Sequence, residues 1–294
     1  MARNFKHEVA AINLRVRQKE NRDYADLIDT LAKLKRGVRV YGSSYLAINY
    51  FDKSKNFGVL SKYDEIEIDG DWFNVEGFDI ASPADLENIS IPKNLKPNHS
   101  RFFFTLDEKI HTVAFSSYAT SRSLSVKAVE KYFRAALGWR EVTKKFGVVD
   151  ADIVRDHGRV EAILGLPNLR EVEIIIRPPN PDDINESLAK VIEKRLKEQH
   201  AEEYEERIRS SGKNHLVPNA RTKALGNIAA ENGEVKAKNV ENGTVVNYTS
   251  NDMPLKEVKT FNGDTSELSV FNILAKAILS KIYAARGRGQ SSTG

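Results

Sequence analysis

The sequence predicts an α/β fold of the α+β type: a mixed, largely antiparallel sheet with helices on one face, plus a smaller helical and hairpin region toward the C-terminus. Three observations carry this expectation. Residues 9–17, 38–40, 45–51 and 57–60 form short apolar or alternating runs of strand type. Turn-forming residues separate such runs closely enough for hairpins, as at Gly42-Ser43-Ser44 and Asn242-Gly243. Between residues 102 and 177, strand and helix patterns then succeed one another, which implies helices layered on a sheet.

Each element follows from local chemistry. Residues 9–17 alternate as V-A-A-I-N-L-R-V-R, placing Ile12, Leu14 and Val16 inward and Asn13, Arg15 and Arg17 on a wetter face. A helix follows, capped by Asp23, striped by Leu27, Ile28, Leu31 and Leu34, and ended by Gly37. Its last turn carries Lys33, Lys35 and Arg36, which suits the negative end of the helix dipole. After the opening hairpins, Asp69-Gly70-Asp71 is expected to turn residues 64–68 onto residues 72–75. Residues 81–100 read as a loop with a short helix near Asp85, and residues 101–106 pair with 111–115. Ser125 opens a helix with Val126, Val129, Phe133 and Leu137 inward and Gly138 as its stop. Residues 148–154 and 172–176 read as strands, with a short helix at 159–164 between them.

Pro178-Pro179-Asn180-Pro181-Asp182-Asp183 marks the clearest boundary, with Asn180 as cap and Pro181 as first residue of a new helix. Ile184, Leu188, Val191 and Ile192 supply its stripe, and the charged stretch beyond Lys197 reads as an extension toward a partner subunit. Residues 219–230 read as loop or weak helix. The last helix opens at Asp264 with Glu267 as capping-box partner and buries Leu268, Phe271, Leu274 and Ile278. The expected organisation is a core domain at 1–178, a charged helix and hairpin at 179–262 as candidate dimerisation region, a helix at 263–285 packing on the core, and a disordered tail at 286–294.

Composition narrows the function classes. The 294 residues are 40% hydrophobic and 29% charged, as in ordinary globular proteins. No apolar run approaches the roughly 20 residues of a spanning helix, and no secretory signal is visible, so a cytoplasmic location without membrane insertion is expected. Zero cysteines remove disulfides, thiol catalysis and cysteine-ligated zinc. Net charge is only +4, but it is segregated. Residues 52–87 hold ten acids against three lysines, whereas residues 122–145 hold seven bases against two acids. Such a pattern gives one side that attracts polyanions and one that repels them.

Catalytic signals are poor. Six histidines are scattered without metal-ligand spacing, and neither a phosphate-binding Gly-Lys loop nor a nucleophile elbow occurs. Asp150-Ala151-Asp152 and Glu171 with Glu173 have the same-face spacing of metal-dependent nucleases, but no lysine follows at the usual position. No catalytic residue, metal or cofactor is therefore assigned, and whether the protein is an enzyme stays open. A nucleic-acid interface has broader support. Lys127, Lys131 and Arg134 form one helical stripe, and Arg15, Arg17, Arg122, Lys144 and Lys145 add cations for phosphates. Phe102, Phe103 and Phe104 alternate faces and read as packing rather than a base-stacking platform.

The G-S-S-Y-L-A-I segment with its hairpin resembles the phage lambda RexA-like exclusion proteins. So, in the same order, do E-V-E-I-I-I-R-P-P-N-P-D-D-I, the hairpin around E-N-G-T-V-V and the C-terminal amphipathic helix. The resemblance implies phage exclusion or abortive infection, a homodimer, and binding of duplex DNA with little sequence preference. It implies no catalytic residue. The expected function is thus a phage-defence protein that binds DNA and signals to an effector protein from the same operon. A metal-dependent nuclease or RNase-type toxin, and a protein-interaction subunit of a multi-gene defence system, are the alternatives.

Overall fold

Strand β1 (Asn4–Val16) runs through the middle of the molecule and organises everything around it. The computed structural model describes residues 4–17, 22–66, 70–87, 89–178 and 187–288. Helix α1 (Tyr24–Leu34) is followed by a meander of β2 (Val38–Tyr41), β3 (Ser44–Asp52) and β4 (Phe57–Asp64). A small hairpin, β5 (Phe73–Asn74) with β6 (Asp79–Ile80), and helix α2 (Pro83–Leu86) precede β7 (Ser100–Asp107), β8 (Thr112–Ala119) and β9 (Arg122–Ser123). Next come α3 (Val126–Leu137), α4 (Arg140–Phe146), β10 (Val149–Ile153), α5 (His157–Leu164) and β11 (Leu169–Ile176). Then follow α6 (Ser187–Glu198), β12 (Tyr204–Arg209), α7 (Ala220–Asn232), β13 (Gly233–Glu241) and β14 (Thr244–Thr249). β15 (Lys256–Asn262) and α8 (Glu267–Arg288) complete the chain.

The fold is α+β. Nine strands form one antiparallel sheet in the order β10-β1-β8-β7-β4-β3-β2, with β15 also beside β1 and β9 beside β8. β1 is long enough to take two partners on one edge: β15 along its first half and β10 along its second. On one face, Ile12, Leu14 and Val16 pack with Leu27 and Ile28 of α1, Phe133 of α3 and Phe146 of α4. On the other, Val9 and Ala11 pack with Phe271, Leu274 and Ile278 of α8. Phe102 and Phe104 enter the first core and Phe103 lies against the second, so all three are packing residues.

A second sheet, β12-β11-β13-β14, has a separate core in which Val172, Ile174 and Val235 meet Val160 of α5, Ile192 of α6 and Leu225 of α7. This moves the expected domain division. β11 belongs to the second sheet instead of the first, while β15 returns to the first, so the second unit lies between about Asp156 and Met253.

Several local expectations change for physical reasons. Asn13 and Arg15 do not face water, because Asn232 at the end of α7 and Arg286 of α8 lie over that face of β1, and both Asn13 and Arg15 are buried. α1 ends on Lys35 in the left-handed region at φ 50°, with its amide donating to Ala32. Gly37 instead admits a ring: a Cβ there would lie 2.1 Å from the Tyr63 hydroxyl. The acidic hairpin turns between Asn74 and Asp79, and Asp69 lies outside the described residues. Asn180, Pro181, Asp182, Asp183 and Ile184 also lie outside them.

In α6 the buried side is Ala189, Ile192 and Leu196, while Val191 is exposed. The charged extension folds back as β12 along β11. α8 buries Val270 and Phe271 and leaves Leu268 partly exposed. Glu267 is engaged by Arg122 and Thr120. The chain stays helical through Arg286, with residues 289–294 outside the described set. Among the described residues, one stretch, Glu267–Arg286 in α8, is long and apolar enough to cross a membrane by length and composition.

Candidate functional site

Helix α3 presents its cations because its other face is fully committed. The Ser125 hydroxyl caps it by accepting from the Ala128 amide at 3.1 Å, and Gly138 ends it. Val126, Val129, Tyr132, Phe133, Ala136 and Leu137 are buried, so Lys127, Lys131 and Arg134 share the outward stripe. Burial also pushes the Tyr132 phenol up, while its oxygen accepts from the Ile48 amide and ties α3 to β3.

The stripe borders a cavity of about 520 Å³. Five bases line it, Lys127, Lys131, Arg134, Arg155 and Arg177, against the acids Glu130 and Glu234. Lys127 and Glu234 also line a cavity of about 640 Å³ over the outer face of the second sheet. Arg134 and Arg177 are shared with a smaller one of about 280 Å³ that reaches Arg17. These shared residues join the three into one trough that runs from the outer face of the second sheet past α3 to Arg17.

Asp152 anchors its floor. The carboxylate is fully buried on β10 and takes Arg15 from β1, Arg134 from α3 at 2.7 Å and Arg177 after β11 at 2.7 Å. Burial alone would raise its pKa, but the Arg15, Arg177 and Arg134 guanidiniums together hold it below the usual carboxylate value. Arg155 lies alongside and is 1% exposed. It donates to the Ile153 carbonyl at 2.8 Å and to the Asn251 side chain, and its Nε has no partner among the described residues. Burial pushes its pKa down, opposed by Asp152, Glu130 and Glu234. A guanidinium nevertheless stays charged at neutral pH.

The eight cations read from the sequence therefore divide. Lys127, Lys131 and Arg134 converge on the trough, and Arg17 reaches its end, bound to Asp150 at 2.7 Å. Arg15 is removed from any surface role by its burial against Asp152. Arg122 pairs with Glu267 at 2.7 Å, and Lys145 with Asp26 at 2.5 Å; neither they nor Lys144 line these cavities. Lys127 also reaches Asp252 at 2.8 Å, whereas Lys131 donates to the Val40 carbonyl at 3.2 Å.

Two residues escaped the sequence reading, Arg155 and Arg177. Each stands just beyond a buried strand, in D-A-D-I-V-R and E-I-I-I-R, and that shared strand-end position was the available signal.

The four carboxylates with nuclease-like spacing do not meet. Asp150 and Asp152 lie on the first sheet and Glu171 and Glu173 on the second. Glu171 is held by Arg209 at 2.8 Å and Lys238 at 3.3 Å, and Glu173 by Arg207 and by Lys236 at 2.9 Å. Among the described residues no group of three or more potential ligands is placed to hold a metal ion.

An antiparallel α+β protein with a guanidinium-floored trough is the class that fold and site define. The family model described as Domain of unknown function (DUF4747) matches residues 5–278, and the chain belongs to that family. No curated protein matches it.

Proposed function

We propose that the protein is a cytoplasmic, homodimeric phage-defence component that binds duplex DNA through the trough, with little sequence preference, and signals to an effector protein. The observation that carries the reading is the convergence of Lys127, Lys131, Arg134, Arg155 and Arg177 on one open cavity. Flexible lysines on a rigid helix suit phosphate contacts, which give affinity and positioning without base readout. The RexA-like order of segments supports the defence role. The acidic hairpin β5–β6 is unsuited to DNA, but its exposed Phe73 and Phe78, with ring centroids 5.3 Å apart, suit a protein contact.

Duplex binding measured across a salt titration tests the reading. Affinity should fall steeply with salt, and Lys127→Gln with Lys131→Gln should lower the slope by about two for two lost phosphate contacts. Absence of duplex binding at low salt, or an unchanged slope in the double variant, refutes it.

A further inference from the structure

We infer that the floor of the trough is a binding site for a phosphate monoester, either the terminal phosphate of a nucleic-acid strand or that of a free nucleotide. This goes beyond duplex binding, in which the trough's cations would meet only the singly charged diesters of a continuous backbone.

The charge arrangement points to a compact dianion. Three guanidiniums meet one buried carboxylate at Asp152, and a fourth, Arg155, donates to an amide and a carbonyl while Asp152, Glu130 and Glu234 act on it through their charge. Arg15 and Arg155 are buried and Arg134 and Arg177 partly exposed, so four guanidiniums stand around the one fully buried carboxylate of Asp152. Buried charges are ordinarily matched by opposite ones. Glu130 is paired with Arg134 at 3.0 Å and acts on Arg155 only at longer range through its charge. Glu234 is occupied by the Thr249 hydroxyl at 2.7 Å and by Lys236 at 3.8 Å. A phosphate monoester carries about −1.5 to −2 at pH 7 and three acceptor oxygens, and guanidinium forks bind such groups with paired hydrogen bonds. A backbone diester offers one charge and two free oxygens, a poorer match.

The site is built rather than incidental. Arg155 and Arg177 are fixed by the ends of β10 and β11, and Arg134 is locked by Asp152 and by the Ala151 carbonyl at 3.0 Å. Lys131, by contrast, is free to swing from the Val40 carbonyl toward a ligand. The cavity of about 520 Å³ exceeds what a phosphate alone fills. It falls within the range of small-ligand sites, roughly 300–1,000 Å³, and leaves room for an attached nucleoside.

Calorimetric titration of the full chain with inorganic phosphate, a nucleoside 5′-monophosphate and the matching nucleoside tests this. The monophosphate should bind and the nucleoside should not, and Arg177→Gln should weaken the monophosphate by about tenfold or more. Should Arg177→Gln fail to fold, Lys131→Gln, which touches no buried carboxylate, must weaken it instead. Failure of the monophosphate and phosphate to bind, equal binding of the nucleoside, or unchanged affinity in these variants overturns the inference.

Two duplexes of one sequence, with 5′-phosphate or 5′-hydroxyl ends, separate the sources. Tighter binding of the phosphorylated duplex assigns strand ends, and equal binding of the two assigns a free nucleotide. Monophosphate binding without any duplex binding keeps this inference and removes the duplex reading, while the reverse pattern does the opposite.

Discussion

Asp152 sits on a short apolar strand, and its sequence neighbours say only that it shares a face with Asp150. The structure separates the two: Asp150 pairs with Arg17 at the rim, while Asp152 is buried under three guanidiniums. Alternation tells which side of a strand a residue takes, not whether another layer covers that side. That is why Arg15 read as a surface cation, and why the Lys127–Lys131–Arg134 stripe, whose exposure follows from α3's own amphipathicity, read correctly. Removing the carboxylate leaves the buried Arg15 without its counter-charge, beside the partly exposed Arg134 and Arg177. Asp152→Asn should therefore destabilise the fold by about 3–5 kcal/mol, seen as a lower urea midpoint. The pH dependence carries a sign. The folded pKa of Asp152 is depressed, so its stabilisation is present above the unfolded value of about 3.9 and is lost as pH falls through the folded value. Wild-type stability should thus fall along the acid limb more steeply than that of Asp152→Asn; parallel acid limbs would show that the cluster contributes nothing.

Elements with one wet side were legible and elements without one were not. The hairpins at Gly42 and Asn242 and the helix α3 have turn or cap chemistry and a single apolar face, and each falls where the sequence places it. α7 has no stripe to read, because Thr222, Leu225, Ile228, Ala229, Ala230 and Asn232 are all buried. β12 has the opposite difficulty: Tyr204, Glu206 and Ile208 alternate with Glu205, Arg207 and Arg209, so charge obscures a strand held by its register to β11. α7 passes directly into β13 at Gly233, opposite Ile176. A Cβ at Gly233 would lie 1.8 Å from the Ile175 carbonyl oxygen, which is rigid strand backbone. Gly233→Ala should therefore cost at least the ~1–3 kcal/mol of core overpacking and lower the thermal midpoint. An unchanged midpoint would mean that β13 can shift against β11 without penalty.

The two sheets act as one molecule in part because a few buried polar groups join their units, and composition gives no view of these. Sequence polarity suggested that order ends at Arg286, where the chain turns to Arg and Gly. Arg286 is instead a clasp. Its Nε donates to Glu231 of α7 at 2.8 Å, and its terminal nitrogens donate to the Ile110 carbonyl at 2.9 Å and to Asn13 of β1 at 3.4 Å. One side chain on α8 thereby ties the first sheet to the second unit. Burial would raise the Glu231 pKa, but Arg286 and His157 hold it below the usual value, so the carboxylate remains charged at neutral pH. Arg286→Gln strands that charge in a mostly buried position and should cost about 3–5 kcal/mol. A second change, Glu231→Gln, removes the stranded charge, so the double variant should recover part of the loss. Loss on the single change with recovery on the double locates the effect in the clasp. Equal losses in the two variants would assign it to α8 packing alone, and no loss in Arg286→Gln would show that the apolar contacts of α8 already hold the units together.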